Sequence, residues 1–353
     1  MNLFEQQASN RRKSRWLLVG FVLFFAWLGF GGDYIAWELT RADTTAAPGT
    51  AVATSPSGPA GYRHTLPWFG IMLTLVAVGT VTYIRRTGAS KVLWSTGARE
   101  LDIARTDSER QLVNVVEEMA IAAGVPRPKI YIIDDADPNA FVTGTEPLKS
   151  HLAVTTGLID MLDRDELQGV IGHEMGHVKN LDMQLMTLVA GLAGAIALMA
   201  DGTGRLLRSG ARVGGGRKLG GGSKKGGNPL ILVILVVWLL SWLLAPLITR
   251  MLSMAISRKR EYLADAMGAQ FTRNPMSLAS ALEKIERAGA PTRAIKGGVA
   301  HLCIADPLER RVSEREGKLA DLFATHPPMA LRVSRLKAMA YRTMKAEGNF
   351  TPV

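Results

Sequence analysis

The sequence predicts a mainly helical α+β protein that crosses a membrane several times and carries a small β-sheet. Three apolar runs, at residues 16–35, 66–84 and 229–248, are near the length that spans a bilayer, and a shorter fourth lies at 185–200. The sequence around these runs has mostly helical periodicity, interrupted by three short runs typical of strands. With 353 residues, of which 47% are hydrophobic, the chain has room for two or three structural units.

Residues 1–90 predict a membrane hairpin with spans at about 16–35 and 66–84. Basic residues precede the first run, which is also typical of a cleaved signal peptide, but no small-x-small cleavage site directly follows it. We therefore expect an uncleaved anchor. The connection from about Asp33 to Thr65 is rich in Thr, Ala, Pro, Gly and Ser and predicts a flexible external loop.

Residues 91–182 are expected to form the first part of a folded domain outside the membrane. The patterns predict a helix at Ser108–Gly124, a strand at Lys129–Asp134, and strands at Asn139–Gly144 and Leu152–Thr156 joined by a turn. Asp163, followed three residues later by Glu166, is typical of a helix N-cap. Apolar residues then recur at helical spacing, so the next helix is expected to bury one stripe.

Residues 183–249 contain the second hydrophobic pair, at about 185–200 and 229–248. The first member is short and rich in Gly and Ala, and we expect a span that packs closely on its neighbours, with a buried core helix as the alternative. The linker at 201–228 is rich in Gly, Lys and Arg and cannot bury a core, which predicts disorder. If 185–200 spans fully, the seven basic residues of the linker lie outside, against the positive-inside tendency. Either the pair is not an ordinary spanning hairpin or the linker is an exception.

Residues 250–353 are expected to complete the domain outside the membrane. Helices are predicted at Arg258–Phe271, Pro275–Arg287 and Pro328–Met344, whereas 288–325 has no clear assignment. Cys303 is the single cysteine, which excludes an internal disulfide and a Cys-rich metal site. We expect it to be a small buried apolar residue.

The net charge of +11 is concentrated beside the apolar runs. Basic residues precede the first run, and Arg85, Arg86 and Lys91 follow the second. Positive charge beside spans marks the cytoplasmic side and favours contact with the anionic lipids of the bilayer. Because no aromatic residues are interleaved with the basic ones, we expect no nucleic-acid partner.

His173-Glu174-Met175-Gly176-His177 is the most informative motif. Two histidines four apart on a helix direct both rings to one point and can hold one Zn²⁺, and the glutamate between them can take a proton from a water molecule held there. The alternative is a surface helix that carries two unrelated histidines. Zinc in a hydrolase usually takes three protein ligands and keeps a fourth position open, so a third ligand must come from another segment.

Glu261 is the strongest candidate for the third ligand, with Asp265 one turn later on the same helix face. If the two apolar segments between the motif and Glu261 form a hairpin, both ligand helices emerge on the same side of the membrane. The alternative is a solvated helix face that pairs with Arg258 and Arg260. The residues alone leave these two interpretations open.

Taken together, the motifs resemble those of the HtpX membrane metalloproteases, which are relatives of the CAAX prenyl proteases. The resemblance rests on His173-Glu174-x-x-His177, on Glu261-x-x-x-Asp265 with its basic flank at 257–260, on Thr325-His326-Pro327-Pro328 followed by Arg332, and on Asn139-Ala140-Phe141-Val142-Thr143-Gly144. It covers most of the chain and implies a zincin-like (gluzincin) catalytic domain. The long first loop and the Gly/Lys linker look like additions to the family's usual pattern.

The resemblance implies a zinc endopeptidase that holds one Zn²⁺ per chain. His173, His177 and Glu261 would be the metal ligands, and Glu174 would be the general base. Asp265 would accept a hydrogen bond from a ligand histidine and so set its tautomer.

The resemblance also implies residues that meet the substrate. His326 could hydrogen-bond the developing oxyanion, with a structural turn as the alternative. Asn139, Ala140 and Phe141 could form an edge strand that pairs with an extended substrate, with an ordinary sheet strand as the alternative. Arg332 is a further candidate for substrate binding.

The function that this resemblance implies is proteolytic quality control of misfolded or damaged membrane proteins and unfolded polypeptides. The enzyme would be a multi-pass protein of the cell inner membrane with its catalytic domain in the cytoplasm. A CAAX-type prenyl-protein protease is a second hypothesis, but four candidate spans are too few to enclose a large intramembrane chamber. A non-enzymatic membrane adaptor that uses the basic linker is the alternative of another class.

Overall fold

The computed structural model is mainly helical with one small sheet, as the sequence predicts. It describes residues 3–44, 66–196, 236–241, 258–288, 292, 294–295, 299–305 and 327–346. The chain divides into two compact units. The main unit consists of Met1–Ser14, Ile84–Gly194 and Thr249–Val353, and the apolar unit consists of Arg15–Tyr83 and Ala195–Ile248.

Among the residues that the structure describes, two helices are long and apolar enough to cross a membrane. They are Phe4–Glu38, within helix α1 (Leu3–Thr44), and helix α2 (Trp68–Ser95). Inside the apolar unit, the carboxylate of Asp33 accepts the N–H of Gly70 in the first turn of α2 at 2.6 Å. The prediction that a loop begins at about Asp33 is wrong, because α1 continues to Thr44 and Asp33 is needed as a buried cap for α2.

The second hydrophobic pair is described in part. Helix α6 (Asp182–Ile196) is a shorter apolar helix, and most of its residues as far as Leu192 are buried, so that it packs closely on its neighbours. The run at 229–248 is described at 236–241, which is helical, and there Trp238 Nε1 donates to the carbonyl of Leu28 at 2.7 Å. The basic linker at 201–228 lies outside the described residues.

The sheet of the main unit has four strands: β1 (Arg99–Glu100), β2 (Lys129–Ile133), β3 (Ala140–Gly144) and β4 (Ser150–Thr155). Their order is β1-β2-β4-β3, with β2 and β4 parallel and the other neighbours antiparallel. The three predicted strands are confirmed. Strand β1 was not predicted, because two exposed polar residues carry no periodic signal. Strand β3 lies at the edge of the sheet, which is where the site is built.

The helices of the main unit pack against this sheet and against each other. They are α3 (Asp107–Ala123), α4 (Thr156–Met161), α5 (Arg164–Lys179), α6, α7 (Arg258–Thr272), α8 (Pro275–Arg287) and α9 (Met329–Ala346), with 3₁₀ turns at Pro147–Lys149 and Ala300–Leu302. All predicted helices outside the membrane are confirmed to within a few residues. Cys303 is buried, as expected.

Helix α5 begins at a capping box and is buried on every side from Gly169 to Val178. Asp163 accepts the N–H of Glu166 at 2.9 Å, and the Glu166 carboxylate accepts the N–H of Asp163 at 3.0 Å. The sequence predicts one buried stripe on this helix, and that prediction is wrong. Every residue from Gly169 to Val178 is buried, because α3, α7 and α8 all pack against α5.

Glycines let α5 and α7 approach until their backbones touch. A Cβ atom on Gly268 would lie 2.8 Å from the backbone nitrogen of His173, and a Cβ atom on Gly172 would lie 3.3 Å from the Cα of Gly268. Side chains at these positions would push the helices apart. This close approach brings Glu261 on α7 to the histidines on α5.

Candidate active site

Three side chains from α5 and α7 converge on one point. The Nε2 atoms of His173 and His177 are 3.2 Å apart, and the Glu261 carboxylate oxygens lie 3.7 Å from the first and 3.6 Å from the second. All three residues are at least 96% buried, with Glu261 the most exposed at 4%. The alternative of a solvated helix face for Glu261 and Asp265 is therefore wrong, since Asp265 is only 3% exposed.

These donors fit a tetrahedral metal site with three protein ligands. Ligand atoms about 2.0–2.1 Å from a tetrahedral ion lie about 3.3–3.4 Å from one another, close to the separations between His173, His177 and Glu261. Within the described part of the chain, they are the one group of His, Cys, Asp and Glu residues arranged to hold a metal ion. The predicted set of three residues is therefore brought together by the fold.

Glu174 is a buried carboxylate whose oxygens make no hydrogen bond of normal geometry with the described residues, although the backbone N–H of Val142 is directed toward them. It is 1% exposed, and burial raises its pKa to about 7, while the nearby His177 and the backbone N–H of Val142 act in the opposite direction. A buried polar group without partners is rare in proteins and marks a place where chemistry completes the site. Glu174 is thus held beside the metal-binding point, ready to accept a proton.

His173 is supported from α7 and α9. Its Nδ1 atom lies 2.9 Å from Oδ1 of Asp265, and Arg332 holds the same carboxylate with two donors at 2.6 and 2.9 Å. Burial lowers the pKa of His173. Burial alone would raise the pKa of Asp265, but the positive charge of Arg332 lowers it. The ring is therefore neutral, with Nδ1–H on Asp265 and the Nε2 lone pair directed to the metal-binding point.

Arg332, which is predicted to bind substrate, is a fully buried residue beside His173, and its substrate contact stays a prediction. Its side chain is 0% exposed, two of its nitrogens are engaged by Asp265, and a third donates to the carbonyl of Ile304 at 2.8 Å. A guanidinium with its donors committed to buried acceptors holds the site together.

His177 is supported by Asp182, which the sequence reasoning missed. Its Nδ1 atom lies 3.3 Å from Oδ2 of Asp182, and Oδ1 of Asp182 accepts the amide N–H of Asn10 at 2.7 Å. Burial acts to lower the pKa of His177, but Asp182 and Glu261 raise it to about 9. The signal that could have found Asp182 is an acidic residue directly after the end of the motif helix, five residues after the second histidine.

Strand β3 is an edge strand as predicted, but its first residues already have partners. The carbonyl of Ala140 accepts the N–H of Ile304 at 2.9 Å, and the Asn139 side chain donates to the carbonyl of Ala305 at 2.9 Å. Phe141 is paired inward with Ala153 and is fully buried.

The substrate contacts of Asn139, Ala140 and Phe141 stay a prediction, and the outward backbone carbonyl of Ala140 is paired within the chain. The next outward-facing backbone position of β3 is Val142, whose N–H is directed toward Glu174. His326, the predicted oxyanion partner, lies outside the described residues.

The fold and the site together define a membrane metalloprotease. The sequence profile described as "Peptidase family M48" matches residues 106–340. The chain belongs to this family and is of the HtpX type. The resemblance inferred from the motifs is thereby confirmed, and membership implies a divalent metal ion and peptide substrates.

Relatives match along almost their whole length. The chain is 37% identical over 345 residues to "Protease HtpX homolog" of Caldanaerobacter subterraneus subsp. tengcongensis, covering 96% of this chain and 98% of the relative. It is 36% identical over 338 residues to the protein of that name from Levilactobacillus brevis, covering 96% and 100%. A solved structure, S. mikatae Ste24p, aligns with a TM-score of 0.44 and 19% identity over 77% of this chain and 59% of that one.

Proposed function

We propose that this chain is a zinc endopeptidase of the cell inner membrane that cuts misfolded or damaged membrane proteins on the cytoplasmic side. The observation that carries the proposal is the unpartnered, buried carboxylate of Glu174 beside the converging donors of His173, His177 and Glu261. Two imidazoles and one carboxylate are a donor set typical of catalytic zinc.

The residues of the chain have separate tasks in the proposed reaction. His173, His177 and Glu261 would hold the metal, which when bound polarises the scissile carbonyl and acidifies water. Glu174 takes a proton from the attacking water and delivers it to the leaving amine. A pKa raised to about 7 suits a group that must both accept and release a proton near neutral pH.

We assign Asp265 and Asp182 to positioning the two ligand histidines. Each carboxylate faces an Nδ1 atom, at 2.9 Å for His173 and 3.3 Å for His177, so that each Nε2 is directed to the metal. Fixing the tautomer and the ring orientation in this way raises the affinity of a site for its metal.

The position of β3 at the edge of the sheet favours an extended peptide as the substrate. Since the outward backbone of Val142 lies next to Glu174, a peptide that pairs with this position has its main chain beside the general base. Pairing through main-chain hydrogen bonds requires an unfolded segment of the substrate and depends little on its amino-acid sequence. This supports damaged or misfolded proteins as substrates. The cytoplasmic orientation is supported by the basic residues that flank the apolar runs.

Cleavage of an unfolded protein by purified, zinc-loaded enzyme tests the proposal. Glu174→Gln should abolish cleavage of casein while the zinc content stays at that of the wild type, and Asp165→Asn, an exposed acid on the same helix, should retain activity. Undiminished cleavage by the Glu174 variant would refute the mechanism. Cleavage confined to prenylated peptides would point to the CAAX type, and loss of function on deletion of 204–227 with proteolysis intact would point to the adaptor.

A further inference from the structure

The main unit contains a cavity with a basic lining, apart from the metal-binding point. It has a volume of about 220 Å³ and is lined by the end of α2, the segments before β2 and β4, and β4 itself. Six of its eleven lining residues are basic or histidine, and none is acidic: Arg85, Arg86, Arg127, Lys129, Lys149 and His151. Such a cavity attracts an anion.

The arginines of this cavity are not neutralised by carboxylates. Arg85, Arg86 and Arg127 are exposed and have no ion-pair partner in the parts of the chain that the structure describes. Lys129 pairs with Glu100 at 2.7 Å, and Lys149 approaches Glu146 at 3.5 Å, but both lysines remain more than 60% exposed. Arginine binds phosphate oxygens through two parallel donors, so three uncommitted guanidinium groups favour a phosphate group.

The position of the arginines on α2 indicates the source of the phosphate. Arg85 and Arg86 directly follow the apolar run at 66–84, which has about the length of the hydrocarbon core of a bilayer. Tyr83 precedes the two arginines on α2 and is 52% exposed. Tyrosine is enriched at membrane interfaces. With this run across the bilayer, the guanidinium groups would lie at the level of lipid headgroups.

An apolar side chain stands in the wall of the same cavity. Leu148, in the 3₁₀ turn before β4, is 82% exposed. A free phosphate has no apolar part to bury against this side chain, whereas a phospholipid brings an acyl chain to it.

We propose that this cavity binds the phosphate headgroup of an anionic phospholipid, with Leu148 against the acyl chain. The bound lipid would tie the sheet of the main unit to the bilayer surface at the end of α2. The cavity shares no residue with the metal site, and the inference does not depend on peptidase activity.

Lipid retention by the full chain tests this proposal. The protein is reconstituted in bilayers that mix phosphatidylcholine and phosphatidylglycerol, and the lipids that stay bound after extraction are counted by native mass spectrometry. The variant Arg86→Gln/Arg127→Gln is compared with Arg110→Gln/Arg342→Gln, which removes the same charge from exposed sites on α3 and α9. We expect the wild type and the control to retain phosphatidylglycerol in preference, and the cavity variant to lose roughly tenfold or more of that preference.

Further arms of the experiment distinguish other ligands. Equal retention by the cavity variant and the control, or no preference for phosphatidylglycerol in the wild type, would overturn the proposal. So would saturation of the cavity by inorganic phosphate alone at equal strength, or by polyglutamate with the same dependence on Arg86 and Arg127. Unchanged zinc content and thermal unfolding in the variants show that they are folded. Leu148→Ser should weaken retention of phosphatidylglycerol without changing binding of inorganic phosphate.

Discussion

The two ligand histidines lie one turn apart on the same helix but are supported in opposite ways. Asp265 behind His173 accepts two hydrogen bonds from the fully buried Arg332, whose positive charge compensates that of the carboxylate. Asp182 behind His177 accepts from the neutral side-chain amide of Asn10, and the guanidinium of Arg260 lies 3.6 Å away without a hydrogen bond.

The difference between the two supports sets the charge of each ring. The pKa of His173 is lowered, mainly by burial, whereas that of His177 is raised to about 9. One motif of five residues therefore contains two unlike ligands. The lowered pKa of His173 favours the neutral ring that binds metal, whereas His177 must first lose a proton. The sequence of the motif does not distinguish the two.

The largest effect is expected from the residue that belongs to neither support. Glu174→Gln should reduce the rate of peptide cleavage by about 10²–10⁴-fold, since the general base is lost. Zinc affinity should change little, because both histidine supports remain. Cleavage rates and metal content of the purified variant check this, and a variant that loses zinc would show that Glu174 is part of the metal-holding set.

Breaking the support of His173 should cost both stability and metal. Asp265→Asn leaves Arg332 as a buried cation without its carboxylate, so we expect a loss of about 3–5 kcal/mol in the free energy of unfolding. Zinc affinity should fall about 10–100-fold. Denaturant unfolding and competition with a chelator measure the two effects. If the variant unfolds like the wild type, Asp265 is not needed to compensate the buried charge of Arg332.

Breaking the support of His177 should cost metal affinity with a smaller loss of stability. Asp182→Asn removes the charge beside His177 but leaves a hydrogen-bonding side chain for Asn10. We expect a roughly tenfold loss of zinc affinity. The free energy of unfolding of the metal-free protein should fall less than in Asp265→Asn. If the Asp182 variant proves the less stable of the two, the comparison between the supports is wrong.

The same comparison predicts a pH dependence of the metal-free protein. The pKa of His177 is raised in the folded state to about 9 from about 6.5, so its contribution to stability is fully present below about pH 6.5 and is lost as the pH rises through 9. Asp182→Asn should flatten this loss, and Asp265→Asn should not. Because metal must displace the proton, zinc affinity should also rise between these pH values. Unfolding free energies across this range measure the slope.

The smallest effect is expected at the far end of the His177 support. Asn10→Ala removes the donors to Asp182 and to the carbonyl of Asn180, so a loss of about 1–3 kcal/mol of stability is expected. Zinc affinity should fall by a few-fold, because Asp182 is less well held. The exposed neighbour Arg11 serves as a control through Arg11→Ala. Equal zinc affinity in Asn10→Ala and the wild type would limit the support of His177 to Asp182.

Much of the fold follows from local signals. The capping box at Asp163, the strand at 129–134 and the helix at 275–287 could each be predicted from neighbouring residues, since periodicity and caps act within one element. The contacts that each element makes with distant segments could not be predicted from the sequence. The burial of α5 on all sides, the pairing of Ala140 with Ile304 and the commitment of Arg332 to Asp265 depend on segments far apart in the chain.

The sequence by itself determined the chemistry: two histidines and a glutamate on one helix, a candidate third ligand in Glu261, and apolar runs near the length of a bilayer. These follow from residue type and spacing, which the chain carries locally. Only the tertiary structure decided how each ligand is held. The contact of Gly172 with Gly268, and the carboxylates of Asp265 and Asp182, come from different elements. Their distances exist only after the helices have packed.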